Sequence, residues 1–265
     1  MTITNTEYTL ITGPTSGIGL ALAEAFAARG DALFIVARRA GALEEVAQSL
    51  RTKFNVEVKT HLCDLSDATQ VERLIDALQD IPLRLLVNNA GFATSGALVD
   101  LPWSGEAQQL QVNVVSLSRL CHGLGALMAK RGQGQILNVS SVSGFMPGPW
   151  MSTYAAGKAY VLNFSEGLRE ELAPRGVKVS VLCPGTTRSP FFEKAQIDID
   201  KAAPAALVMT PKRVAQLTLQ GLDRNDAIIV PRWTNKLMAF SPRLVPRGLL
   251  RHIVGKLYRS VAPPT

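Results

Sequence analysis

Seven short apolar runs alternate with six helical windows along this chain, and that alternation narrows the fold more than any other feature. The runs lie at residues 8–11, 33–36, 56–62, 83–88, 135–139, 177–182 and 227–230. Most are continuously apolar, the pattern of strands covered on both faces. Residues 18–29, 43–52, 69–78, 103–130, 152–172 and 211–221 read as helices between them. Ser66 or Asp67 can cap the third helix, and Thr210-Pro211 sets a cap before a Pro at the first helical position. Such alternation implies an α/β, doubly wound, seven-stranded parallel sheet flanked by helices. Hydrophobic residues at 47% against 18% charged suit the large core this needs. In these sheets ligands bind beyond the carboxyl ends of the strands, so the chemistry is sought there.

The first run leads into Thr12-Gly13-Pro14-Thr15-Ser16-Gly17-Ile18-Gly19 and then a helical window. Glycines here allow a tight turn and close backbone approach to a pyrophosphate, whose charge the helix N-terminus meets. The spacing is G-x-x-x-G-x-G rather than G-x-G-x-x-G, and a plain glycine-rich turn also accounts for the segment alone. The second run discriminates between cofactors. NAD-type sites place an acid at its end for the ribose 2′-hydroxyl. Here the run ends Ala37-Arg38-Arg39, with no acid. Guanidinium groups suit a 2′-phosphate, so NADP(H) is expected, with Arg38 preferred to Arg39; a pair of solvated arginines is the alternative.

Tyr154 and Lys158 stand four residues apart near the start of a helical window and so share a face. A cation beside a phenol favours the phenolate and lowers its pKa from about 10. Such a phenol can donate a proton to a carbonyl or take one from an alcohol. Taken alone, such pairs arise often by chance, and an exposed i,i+4 pair is the better explanation of these two residues.

The order of the motifs says more than any one of them. After residues 12–19 come Asp64-Leu65 behind the third run and Asn88-Asn89-Ala90-Gly91 behind the fourth. Asn113 lies in the long central helix, Ser140-Ser141 behind the fifth run, then Tyr154 and Lys158, then Pro184-Gly185 behind the sixth. In this order, over nearly the whole chain, the protein resembles the short-chain dehydrogenase/reductase family, in particular its NADP-dependent ketoacyl and carbonyl reductases. The resemblance implies a Rossmann-type fold and a role for each position. Ser141 would hydrogen-bond the substrate oxygen, Tyr154 would be the general acid/base, and Lys158 would hold the nicotinamide ribose and tune Tyr154. Asn113 would anchor a relay water. Asn89, Ala90 and Gly91 would line the cofactor groove, and Asp64 with Leu65 would meet the adenine. Beyond Pro184-Gly185, Thr187 and Ser189 would bind the carboxamide; the family commonly has Thr where Ser189 stands.

Substrate selection falls to flanking segments 92–96, 145–150 and 190–208. Phe92, Phe145, Met146, Trp150, Phe191, Phe192 and Met209 lie in or beside them and point to a hydrophobic ketone, aldehyde or 3-oxoacyl substrate rather than a sugar. Lid packing is the other explanation of these aromatics, and segment 190–208 reads as a mobile lid. The expected activity is NADPH-dependent carbonyl reduction. Alcohol oxidation on the same site is the alternative, and a non-catalytic nucleotide sensor has no need of Ser141, Tyr154 and Lys158 together.

The net charge of +7 is confined to one end. Seven of the 28 bases fall in residues 231–265, which hold no acid, so the other 21 bases balance the 21 acids. Residues 1–230 are therefore expected to form one catalytic domain and 231–265 a basic helical extension. Two helices are expected there, separated by Pro242 and Pro246. In the second, Leu249, Leu250, Ile253, Val254, Leu257, Tyr258 and Val261 form a stripe with Arg251, Lys256 and Arg259 off it. The stripe can pack on the domain or a second subunit, or dock on an anionic membrane or acyl carrier. A homodimer or homotetramer is expected. Nucleic-acid binding is not, because aromatics do not interleave with the bases. Scattered Cys63, Cys121 and Cys183, and His61, His122 and His252, offer no metal pattern. With no signal peptide at the N-terminus and no apolar run of about twenty residues, a cytoplasmic protein, peripheral to membranes at most, is expected.

Overall fold

The computed structural model describes residues 6–261. Seven parallel strands run in the order β3-β2-β1-β4-β5-β6-β7: β1 Tyr8–Thr12, β2 Ala32–Ala37, β3 Val58–Leu62, β4 Leu83–Asn88, β5 Gly134–Val139, β6 Val177–Leu182 and β7 Ile228–Ile229. The order reverses between β1 and β4, which opens a crevice at their carboxyl ends. Because successive strand residues point to opposite faces, the strands feed two cores. Leu10, Phe34 and Leu86 join one with Leu74, Leu120 and Val161. Ile11, Ile35 and Leu85 join the other with Leu22, Leu50 and Val214. Burial of each such side chain contributes about 1.5–3 kcal/mol.

The helices α1 Gly17–Ala27, α2 Ala40–Phe54 and α3 Ala68–Ala77 follow the first three strands. Asp67, not Ser66, caps α3, accepting from the amides of Thr69 and Gln70. The helix expected over 103–130 is interrupted. It comprises α4 Trp103–Leu110, a π-helical segment Gln111–Ser116 and α5 Leu117–Arg131. π-Helical turns insert a residue into the ladder and redirect side chains, and this one carries Asn113. By length and composition, Trp103–Arg131 could cross a membrane, which departs from the expectation that no run is long enough. Here α5 lies against the sheet, burying Leu117, Leu120, Cys121, Leu124 and Met128.

Next come α6 Ser152–Leu172, the short α7 Pro190–Lys194 and α8 Ile199–Ala202, and α9 Pro211–Asp223, capped by Thr210 as expected. Segment 190–208 is thus partly helical. The extension forms α10 Trp233–Phe240 and α11 Arg247–Val261. Asn235 of α10 is buried, and a Cβ on Gly185 would lie 2.4 Å from its Oδ1, so α10 seats directly on the loop after β6. The stripe on α11 divides lengthwise. Leu250 and Val254 are buried and Tyr258 half-buried, whereas Leu249, Ile253 and Leu257 are exposed. Among the sequence expectations, Val261 lies where side chains are outside the description.

Candidate active site

The crevice is framed by hydrogen bonds between the ends of β1 and β4. The Thr12 hydroxyl accepts from the amides of Asn89 and Ala90, both at 3.0 Å. The Asn89 side-chain amide donates to the carbonyls of Thr12 (2.9 Å) and Gly13 (3.1 Å). Asn89 therefore fixes the glycine turn through its side chain rather than presenting that group to a ligand. Gly13 has φ +67°, a region costly for other residues, and a Cβ on Gly19 would lie 2.2 Å from the Gly13 carbonyl. Both glycines are required by the turn itself.

These residues fit a dinucleotide. Ser16, at the N-cap of α1, makes no side-chain capping bond, so the first turn faces the crevice with its own amides. Thr15, Ser16, Gly17 and Ile18 are half-buried along it. Arg38 and Arg39 are exposed at the end of β2, and among the described residues neither enters an ion pair. The Asp64 carboxylate accepts from the Ser66 amide (2.9 Å) and hydroxyl (2.8 Å), with Leu65 buried beside it. Across the crevice Thr187 is buried, and a Cβ on Gly17 would stand 3.1 Å from Ser189 Cβ. The loop after β6 thus closes against the glycine turn. The Pro184 carbonyl accepts from the Val142 amide at 3.0 Å, joining that loop to the one after β5.

Ser141, Tyr154 and Lys158 come together where β5 meets α6. Ser140 serves as a clamp: its amide donates to the Leu182 carbonyl (2.7 Å) and its hydroxyl to the Lys158 carbonyl (2.7 Å). Ser141 is left facing the cleft and accepts from the Ser143 amide at 3.1 Å. Tyr154 and Lys158 lie one turn apart on α6, with Lys158 Nζ 5.6 Å from the phenol ring centroid. That ammonium donates to the Val139 carbonyl at 2.8 Å. Asn113 does not point to open space: it donates to the Phe92 carbonyl (2.8 Å) and accepts from the Phe92 amide (3.2 Å). A Cβ on Gly91 would lie 2.9 Å from Asn113 Oδ1 and 3.7 Å from Lys158 Nζ, so these three groups adjoin.

Burial governs the ionisation of both Tyr154 and Lys158 on α6. It pushes the Tyr154 phenol well up; the Ser141 hydroxyl opposes the rise and Tyr258 adds to it. The expected lowering by Lys158 is not seen: burial is the main cause of the rise, and the Lys158 ammonium is turned toward the Val139 carbonyl. Lys158 itself is pushed down to about 8 by burial. Burial also raises Cys63 to about 11 and Cys121 and Cys183 to about 12, so none is a nucleophile at neutral pH. Among the described residues no cluster of His, Cys, Asp or Glu could hold a metal ion.

The substrate side is apolar. Phe191 packs on Tyr154 with ring centroids 5.5 Å apart, and Ala93, Met151, Ala195 and Ile197 complete the wall with Phe192 and Tyr258. Sequence reasoning gave Thr12 no role of its own and Tyr258 only a place in the α11 stripe. Thr12 was visible in the glycine motif; Tyr258 was visible as the one polar tip among the inner residues of the α11 stripe.

The chain belongs to the short-chain dehydrogenase family: the family model for short chain dehydrogenase matches residues 7–200. It is accordingly an oxidoreductase of that family. It is 33% identical over 184 residues to a 7beta-hydroxysteroid dehydrogenase of Collinsella aerofaciens, covering 69% of this chain and 70% of that one. It is 31% identical over 257 residues to a very-long-chain 3-oxoacyl-CoA reductase of Danio rerio, covering 94% and 79%. Among solved structures it is similar to a short-chain dehydrogenase from Sphingobium yanoikuyae in complex with NADPH, at TM-score 0.83 and 34% identity, covering 92% and 94%.

The depressed Lys158 carries a pH signature. Below about pH 8 the buried ammonium costs the native state its hydration. Between about 8 and the ordinary 10.5, the unfolded chain binds the extra proton, so stability rises with pH. Wild type should therefore gain thermal stability relative to Lys158→Met as pH rises through that window. Parallel melting temperatures across it would show that Lys158 is not desolvated.

Proposed function

We propose that this protein reduces a hydrophobic ketone, aldehyde or 3-oxoacyl substrate with NADPH. The observation that carries this reading is the convergence of Ser141, Tyr154 and Lys158 on an apolar wall of Phe191, Ala93, Met151 and Ile197, with burial holding the phenol in its protonated form. A protonated phenol is ready to donate, as reduction requires. NADPH, when bound, supplies the hydride to the carbonyl carbon. Ser141 Oγ hydrogen-bonds the carbonyl oxygen, and Tyr154 Oη transfers its proton to that oxygen as negative charge develops there. Lys158 holds the ribose and stabilises the phenolate that Tyr154 becomes, which takes a proton back from solvent through the relay water that Asn113 would anchor, while the Asn113 side chain fixes the segment at Phe92 beside it. Gly13, Gly17 and Gly19 with the amides of α1 seat the pyrophosphate. Arg38 and Arg39, free of acidic partners, receive the 2′-phosphate. Asp64 and Leu65 border the adenine, Asn89, Ala90 and Gly91 the groove, and Pro184, Gly185, Thr187 and Ser189 the carboxamide. The NADPH named with the Sphingobium structure supports the cofactor, and the steroid and oxoacyl names support an apolar substrate.

Residues 1–230 form the catalytic unit in this account and 231–265 an extension that completes its substrate side. Val115 and Tyr160 are exposed on the π-helical segment and α6, and the Tyr160 hydroxyl lies 3.0 Å from that of Ser118. This apolar face supports a homodimer or homotetramer, which a sedimentation mass of one chain would contradict. Exposed Leu249, Ile253 and Leu257 on α11, with Arg247, Arg251 and Lys256 around them and no acid in residues 231–265, support peripheral contact of a cytoplasmic protein with an anionic bilayer.

Tyr154→Phe should lower turnover by about 10²–10⁴-fold with NADPH affinity nearly intact. Retained turnover would discard this mechanism. Arg38→Ala should weaken NADPH binding by roughly ten- to a hundredfold and leave NADH binding unchanged, as loss of a charge-assisted bond predicts. Equal wild-type affinities for NADPH and NADH would reject the phosphate assignment. On the bilayer, wild type should sediment with phosphatidylserine-containing vesicles and Leu249→Ser/Ile253→Ser should not; equal sedimentation with neutral vesicles would remove the anionic contact.

A further inference from the structure

Helix α11 places one hydroxyl where the rest of the substrate wall is apolar. Its inner edge runs Leu250, Val254 and Tyr258 at successive four-residue steps, the first two buried. The helix is held in place at several points. It contacts α8, Gly255 faces Pro149, and the Arg259 guanidinium lies 5.6 Å from the Trp150 ring centroid. Tyr258 therefore enters the cleft on an anchored element and packs with Ala93, Met151, Tyr154, Ala195 and Ile197.

The Tyr258 hydroxyl lies 3.1 Å from the Ser143 hydroxyl. Ser143 in turn donates its amide to Ser141 Oγ at 3.1 Å. A chain of polar groups thus leads from Tyr258 to the serine assigned to the reacting carbonyl. Each of these two outer hydroxyls can both donate and accept, so the pair has hydrogen-bonding capacity beyond the single bond it makes internally. A purely hydrocarbon substrate flank would bury the remaining capacity of the pair without a partner. A substrate oxygen placed between the two would use it.

We propose that Ser143 and Tyr258 form a second polar subsite, which takes a second oxygen of the same substrate. The preferred class is then a hydrophobic ketone bearing a further carbonyl or hydroxyl, rather than a simple hydrocarbon ketone. Ser141 and Tyr154 hold the oxygen that is reduced; Ser143 and Tyr258 hold the oxygen that is not. The C-terminal extension thereby sets specificity with a residue that the glycine-to-lysine motif series does not include. This proposal rests on the reductase reading for the placement of the reacting carbonyl.

The test compares butyrophenone with ethyl benzoylacetate, an aryl ketone that also carries an ester carbonyl. Binding is measured by calorimetry on the full chain with NADP+ present, so that no turnover is needed. Wild type should prefer the oxo ester, and Tyr258→Phe should reduce that preference, read as the ratio of the two Kd values, about fivefold, the loss of one hydrogen bond. Ser143→Ala should reduce it in the same direction. A ratio unchanged in both variants, an equal weakening of both ligands, or wild type showing no preference would overturn the subsite. Reduction of butyrophenone by wild type with NADPH is recorded separately: its absence counts against the reductase reading and leaves the binding ratio to judge the subsite.

Discussion

The Thr12 hydroxyl is the fastening on which the crevice depends. It accepts two amides from the segment after β4, and Asn89 returns two bonds to the glycine turn. The strand order reverses at this point, so the two strands diverge in their connections just where a ligand must be gripped. The strands pair in the sheet as far as Ile11 and Val87, and these bonds carry the link past their carboxyl ends to the glycine turn and the groove at Gly91. With it, the phosphate cradle and the Asn113–Lys158 side of the site form one rigid edge. Ser140 repeats the device between β5, β6 and α6, bonding to Leu182 and to Lys158. Two small hydroxyl residues thereby position most of the chemistry.

Within that frame, burial acts in opposite directions on the two titratable groups of α6. It holds Tyr154 protonated and makes the Lys158 proton easier to lose. Both shifts disfavour charge, as expected when water is excluded by Phe191 and the α7 segment. Burial also explains why the ammonium takes a carbonyl partner at Val139: a buried cation needs one.

The strand–helix alternation was legible because both faces of a parallel sheet are covered, which leaves continuous apolar runs that need no partner information to recognise. The ordered motifs were legible for a related reason, since each stands at a strand end. What escaped was set by contacts distant in sequence. The π-helical turn at Asn113 interrupts a segment whose apolar spacing reads as one helix. The role of Asn89 as a brace depends on Thr12, seventy-seven residues away. The ionisation of Tyr154 was misjudged because a four-residue spacing to Lys158 reports proximity but not desolvation. Only the division of the α11 stripe into a packed and an exposed edge reveals that Tyr258 reaches the cleft, 115 residues from Ser143.

In the proposed function, all of these features serve hydride transfer to a carbonyl held between Ser141 and Tyr154. The most direct test uses NADPH deuterated at the transferring position of C4 with a bulky aryl ketone, followed by mass and NMR analysis of the product alcohol. The account predicts one deuterium on the carbinol carbon, none exchanged into water, and a primary isotope effect where hydride transfer limits the rate. Alcohol formed without deuterium at that carbon would contradict it.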